Sequence, residues 1–369
     1  MWKGFDVKRQ TMVFVGNCQL NMLANLYRRI VPSQDSQEIV YLPSYESASV
    51  EQLGIVAAAD ILVRQVLDFA PRIGDLDTAA TVHLVPHVTA AFLWPCSGRP
   101  HPKNQPHRYS DASGPYNGEL GDSYLDRLIL DGVPPDEAVA RFMEADIAGL
   151  RNAERMQEIV LEKQRSRDAM CGYAFADFID ANFRTKKLFR SPNHPEIPLS
   201  ILLASEVFGR LGVDGKIIEG MQANPPGGLF PPTETPIHPS ILRHFGLNFL
   251  HVETRYRFFE EGSFTCAEFA KRYMQYEWNP LLGEGYELAR NGQRDAAIEV
   301  FRRAVQRSPR SAAGRASLSD LLATRGELDE AVILAVEAHA LEPQNAHYRS
   351  RLDHITSQLE AREGRKLQR

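Results

Sequence analysis

Near its C-terminus the chain repeats itself at a spacing of 34 residues: Gly292 returns as Gly326, Asp295 as Asp329, Ala297 as Ala331, Ala304 as Ala338 and Pro309 as Pro343. A period of that length fits one supersecondary unit per repeat and constrains the fold more tightly than any other feature of the chain. Each unit reads as a helix, a glycine-containing turn, a second helix and a proline that stops it, because small alanine side chains let antiparallel helices approach closely. The spacing predicts helices over about 280–291, 295–307, 313–324 and 329–341, with the polar stretch 345–363 as a helix that covers the last open face. Two such units fall short of the roughly three needed for independent stability, so the array is expected to pack on what precedes it.

Upstream the pattern changes. Residues 11–16 (TMVFVG) form a short apolar run closed by glycine, followed by Asn17-Cys18-Gln19 and then Leu20, Leu23, Leu26, Tyr27 and Ile30 at helical spacing. That is a strand, a tight turn and a helix. Further β-rich runs at 39–42, 61–66 and 81–85 alternate with helix-like stretches at 49–58 and 72–79, and a parallel sheet flanked by helices is the economical reading. The stretch 93–121 is dense in Pro, Gly, His and Asn and reads as a long loop, of a length usually tied to function or disorder. Helical patterning resumes over 123–165, with a start at Pro134-Pro135-Asp136-Glu137, and again over 195–212; a proline-rich irregular stretch fills 222–239.

The 369 residues suffice for two to three domains at roughly 150 residues each. A net charge of −5 argues against a dedicated nucleic-acid binder, whose domain would be strongly basic. The N-terminal residues lack the apolar stretch of a signal peptide, so the chain is expected to stay in the cytoplasm. The best apolar run, 55–63, is broken by Asp60, which argues against an integral membrane protein. The cysteines, Cys18, Cys96, Cys171 and Cys266, lie far apart and form no CxxC pair for zinc or redox chemistry. His83 and His87 share a face if they lie in one strand, but two histidines without a third ligand do not make a catalytic zinc site, so no metal is expected.

In an open α/β sheet, ligands bind at the carboxyl ends of strands, and the first strand-to-helix turn offers them free backbone N–H groups. Gly16-Asn17-Cys18-Gln19 occupies that turn. A thiol there meets the partial positive charge of a helix N-terminus, which favours the thiolate nucleophile. Asn17 and the N–H groups of the turn are placed to hold a developing oxyanion. The competing reading is a small buried hydrophobe. A nucleophilic cysteine needs a base, and His194 stands out among the histidines because Asn193-His194-Pro195 follows the apolar run 187–189 and precedes a helix. His87 is a second candidate, at the carboxyl end of the strand 81–85. Gly121-Asp122-Ser123 spells part of a GDSL hydrolase motif, but no apolar strand precedes it, and helix N-capping explains it more simply.

Six segments resemble the WcbI polysaccharide-biosynthesis family in the family's order: Gly16-Asn17-Cys18-Gln19, residues 59–65 (ADILVRQ), Val85-Pro86-His87, residues 118–126 (GELGDSYLD), Asn193-His194-Pro195 and residues 236–247 (PIHPSILRHFGL). The resemblance implies a fold related to SGNH esterases, binding of coenzyme A and acetyl transfer, with Cys18 in the place of the esterase serine and His194 as base. It also implies that Asn17, Gln19 and Gln65 line the site. SGNH esterases carry an acid shortly before the histidine. Here Arg190 is read in that place, so the orienting carboxylate is missing or comes from elsewhere. The 34-residue repeat resembles a tetratricopeptide pair, an addition to the family's core domain. Coenzyme A phosphates would require cations, for which Arg99, Lys103 and Arg108 in the long loop and Lys186, Lys187 and Arg190 before the Asn-His-Pro segment are the sources.

The expectation is therefore an SGNH-like α/β acyltransferase domain over 1–276, followed by all-α tetratricopeptide repeats over 277–369. An acyl-CoA thioester would be the donor and a glycan hydroxyl the acceptor, with a peptide partner for the repeats. Gly16, Gln19, Gln65, His87 and Asn193 join Lys103, Arg108, Lys187 and Arg190 as binding residues around Cys18, His194 and Asn17. The rivals are a carbohydrate esterase using the same residues with water, and a non-catalytic adaptor.

Overall fold

The computed structural model describes residues 10–31, 37–68, 78–107, 110–113, 115–230, 233–259, 262–276, 279–309, 311–341 and 346–367. The strand, turn and helix expected at the head of the chain are β1 (Gln10–Gly16) and α1 (Cys18–Ile30). They are followed by β2 (Gln37–Pro43), α2 (Val50–Ala57), β3 (Ile61–Val66) and β4 (Thr81–Pro86). The strands form one parallel sheet in the order β2-β1-β3-β4, as the alternation of strand and helix patterns predicts. β1 lies inside because Met12, Val13, Phe14 and Val15 are all buried; a parallel strand covered on both faces reads as an unbroken apolar run. At the β4 edge, by contrast, Val82 and Leu84 stay 47% and 37% exposed. The helix-like stretch 72–79 lies, but for its last two residues, outside the described residues.

The chain divides into two compact units, Met1–Ser97 with Met143–Glu253 and Gly98–Phe142 with Thr254–Arg369. The boundary expected at 276 falls inside the second unit, because that expectation came from the repeat alone. In the first unit, α1 buries Leu20, Leu23 and Tyr27, and the Tyr27 ring meets Phe208 edge-on at 5.3 Å between centroids. Phe208 belongs to the helix Ile197–Arg210, which the sequence places at 195–212. The long helical stretch breaks into Ser123–Leu130, Pro135–Glu144, Ile147–Leu150 and Ala153–Cys171. A short antiparallel pair, Phe189–Ser191 with His194–Pro195, was not legible as strand because it is too brief to alternate.

In the second unit, the stretch read as loop contains the antiparallel strands Gln105–His107 and Ser110–Ser113, whose polar composition hid them. Aromatic rings gather around the buried His101: Tyr273 at 4.3 Å, Tyr276 at 4.9 Å and Tyr116 at 5.7 Å between centroids. The C-terminal helices are Pro280–Arg290, Arg294–Arg307, Ala312–Arg325, Leu328–Leu341 and Ala346–Leu367, the first four within one residue of their predicted ends. The repeating alanines are the contact points: Ala297, Ala304 and Ala331 are 0% exposed and Ala338 is 1%. The repeating glycines adopt φ of +77° and +89°, the left-handed turn that a side chain would strain. Among the described residues no helix is long and apolar enough to cross a membrane.

Candidate active site

The strand order places β2 on one side of β1 and β3 on the other, so the carboxyl ends of β1 and β3 flank a topological switch point, where ligands of open sheets bind. Gly16 ends β1 and Gln65 lies at the end of β3. Asn17 N–H donates to Gln65 Oε1 at 2.8 Å, which ties the turn to the neighbouring strand. Asn17 is also the N-cap of α1, its Oδ1 accepting from Gln19 N–H at 2.9 Å. Its Nδ2 makes no hydrogen bond among the described residues. Cys18, half-buried, is the first helical residue, and its N–H has no acceptor within the helix.

Gln19 is the hub. Its side chain is 0% exposed and makes four hydrogen bonds. Oε1 accepts from Val88 N–H at 3.1 Å and from Gln65 Nε2 at 3.3 Å. Nε2 donates to Val88 O and to Asn193 O, both at 2.7 Å. The last of these joins the residue after Cys18 to the residue before His194 across 174 positions of sequence. Thr89 Oγ1 and Ala90 N–H donate to Pro192 O at 2.7 Å and 3.1 Å and tie the segment after β4 to the same Pro192-Asn193 turn. Asn193 therefore enters the site through its carbonyl.

His194 is half-buried, with Ser191 Oγ 2.7 Å from its Nδ1 and the edge of Phe230 at 5.1 Å between centroids. The position three before His194 is Ser191, which corrects the reading of Arg190 as the residue in the acid's place. Arg190, one residue earlier, bonds Glu196 Oε2 at 2.8 Å. Lys187 pairs with Glu234 and lies 3.4 Å from Glu196 Oε1. Burial alone would raise the Glu196 carboxyl, but Arg190 and Lys187 outweigh it and hold it below the usual range. Lys187 and Arg190, two of the cations expected to meet phosphates, are thus engaged with carboxylates. Lys103 belongs to the second unit, where its N–H donates to His101 Nδ1 at 3.0 Å, and Arg108 lies outside the described residues.

His87 is buried, with its N–H on Val66 O at 3.1 Å and its carbonyl accepting from Arg167 Nε at 3.0 Å. Arg167, missed in the sequence, is 2% exposed and also bonds Asp68 and Gln164 Oε1, the latter at 2.8 Å. No sequence signal marks it, because the buried face of its helix mixes Gln164 and Asp168 with Leu161 and Cys171 and leaves no apolar stripe to read. Tyr41 was missed as well. Its hydroxyl donates to Gly16 O at 3.1 Å, and burial, with Tyr45 and the Cys18 sulfur nearby, raises its pKa far above the phenol range. Its signal is its place near the carboxyl end of a strand beside β1. Asp122 caps the helix Ser123–Leu130 through Tyr124 and Leu125 N–H groups at 2.9 Å and 3.0 Å, so the GDS tripeptide is a cap.

Cys96, Cys171 and Cys266 are buried, and burial first of all pushes the Cys171 thiol up to about 11 and the Cys266 thiol up to about 12. Cys18 alone of the four is not sealed in. Among the described residues no three His, Cys, Asp or Glu side chains gather as a metal site. The arrangement offers a thiol at a helix start, an unpaired amide donor beside it, and a hydrogen bond that ties the residue after that thiol to the backbone carbonyl preceding His194.

Residues 11–216 match the family model described as the polysaccharide biosynthesis enzyme WcbI. Among solved structures, the chain is similar to one described as WcbI, a novel polysaccharide biosynthesis enzyme, in its native form without a disulfide bond between CoA and one of its cysteines. The TM-score is 0.51 at 15% identity, covering 90% of this chain and 99% of that one. Comparison with curated proteins gives no match.

Proposed function

Because the chain belongs to the WcbI family of polysaccharide biosynthesis enzymes, we propose that it transfers an acyl group from a coenzyme A thioester to a sugar hydroxyl, with Cys18 as nucleophile and His194 as base. The observation that carries this reading is the hydrogen bond from Gln19 Nε2 to Asn193 O at 2.7 Å, which fixes the immediate neighbours of the two residues to one another. The description of the similar structure names CoA and a cysteine together, as a form without a disulfide bond between them, and we take this as support for seating the sulfur end of the donor near Cys18. A half-buried sulfur at a helix N-terminus fits the thioester end of such a donor.

In this reading His194 takes the thiol proton as Cys18 Sγ bonds to the acyl carbonyl carbon, and the carbonyl electron pair moves to oxygen. Asn17 Nδ2 and the Cys18 N–H hold that oxyanion. As the carbonyl reforms, the carbon–sulfur bond of the donor breaks and His194 protonates the departing thiolate. His194 then takes the proton of the sugar hydroxyl, which attacks the acyl-cysteine, and returns it to Sγ. The acyl-CoA donor puts the reaction in the cytoplasm. The C-terminal helix pairs, read as tetratricopeptide repeats, serve as a peptide-docking element.

Intact-mass measurement after incubation with acetyl-CoA tests the covalent step. An acetyl increment that maps to Cys18 and is absent in Cys18→Ser is expected; an unmodified wild-type mass removes the covalent route. A time course with an acetylated sugar separates transfer from hydrolysis, since an esterase would cleave it and ignore the thioester.

A further inference from the structure

We propose that Ser191 is the positioning residue of His194, its hydroxyl holding Nδ1 so that Nε2 serves the Cys18 thiol. This rests on the roles given above to Cys18 and His194 and adds the group that orients the base. Ser191 Oγ lies 2.7 Å from His194 Nδ1, well inside hydrogen-bond range. Each imidazole nitrogen has one in-plane bonding direction, so this contact takes Nδ1 and directs chemistry to Nε2. Ser191 is 3% exposed and stands opposite His194 in the paired strands Phe189–Ser191 and His194–Pro195, so backbone pairing fixes the hydroxyl. The Phe230 ring, inclined at 65° to the imidazole, restricts its rotation from another side.

The substitution of a hydroxyl for a carboxylate has a chemical consequence. A serine hydroxyl orients the ring but brings no charge to stabilise an imidazolium. A thiol ionises far more readily than an alcohol, so a cysteine nucleophile needs orientation more than it needs a strengthened base. The nearby charges, Glu196, Glu234, Arg190 and Lys187, are paired with one another and stay constant across the variants below.

The test follows two readouts that require no acceptor sugar. One is the His194 titration by NMR of isotopically labelled histidine, assigned with His194→Gln. The other is the rate of Cys18 alkylation by iodoacetamide against pH, mapped by peptide mass. Ser191→Ala is expected to slow alkylation at neutral pH about tenfold. Ser191→Thr, which keeps the hydroxyl, restores it. Ser191→Asp is expected to raise the His194 midpoint by about one pH unit and move the alkylation profile with it. A Ser191→Ala profile superimposing on wild type, equal losses in Ser191→Ala and Ser191→Thr, or an unmoved midpoint in Ser191→Asp overturns the proposal. If His194→Gln itself leaves alkylation unchanged, the Cys18–His194 reading falls and this one with it; if His194→Gln slows it and Ser191→Ala does not, only the positioning role fails.

Discussion

Gly16 is dictated by neighbouring atoms: a Cβ there would lie 2.7 Å from both Gln65 Oε1 and Leu20 Cγ. Gly16→Ala must therefore displace the Gln65 amide that holds Asn17 N–H. A loss of about 1–3 kcal/mol in urea unfolding is expected, with slower Cys18 alkylation in the folded protein. Gln19→Leu keeps the volume but strands the Val88 N–H, the Gln65 amide and the Asn193 carbonyl. Each orphaned group costs about 1–3 kcal/mol, so urea unfolding should show a loss of at least about 3 kcal/mol. Asn17 separates two roles. Asn17→Asp keeps the cap oxygen, which a helix N-terminus favours, and removes the Nδ2 donor; Asn17→Ala removes both and loses about 1 kcal/mol. Stability held in Asn17→Asp while acyl transfer falls is the expected pattern, and equal transfer in wild type and Asn17→Asp would deny the amide its part.

At the scale of elements, the site is held by one buried cation as well as by the turn. The helix Ala153–Cys171 sends Arg167 to the carboxyl end of β4, through His87 O at 3.0 Å, and to Asp68 just beyond β3. Breaking a buried pair costs about 3–5 kcal/mol because the remaining charge is left without a partner. Asp68 is 41% exposed and water can take over part of that role, so Arg167→Met is expected to lose about 2–4 kcal/mol in urea unfolding. The C-terminal helices obey a simpler rule. Gly285 allows two of them to approach closely, since a Cβ there would lie 2.7 Å from the Phe301 ring.

Across the whole molecule, acid acts on the two units in different windows. In the second unit burial, helped by Lys103 and opposed by the bond to Tyr273 O, lowers His101 from 6.5 to about 4. The unfolded chain then binds the extra proton between those values, so stability falls as pH drops from about 6.5 to about 4. In the first unit Glu196 is held low, and its contribution, present above the ordinary carboxylate value of 4.5, is lost as pH falls through its folded pKa. Hydrogen exchange read segment by segment should show the residues around Tyr116 and Tyr273 loosening before those around Glu196. His101→Gln should flatten the first window and leave the second; a first window unchanged in that variant would remove His101 as its cause.

The sequence by itself determined the elements whose signals are local. The apolar run of β1, the repeating alanines and the turn glycines at 292 and 326 each act within a few residues or at a fixed period. It also pointed to Cys18, because a strand, a turn and a helix announce a ligand-facing N-terminus. Only the tertiary structure decided which distant residues meet one another. Gln19 reaches Asn193, Arg167 reaches Asp68, and Ser191 takes Nδ1 of His194, contacts made by single polar side chains. Such groups leave no periodic trace in sequence; their partners are chosen by burial, which forces each polar atom to find whatever the fold brings within reach.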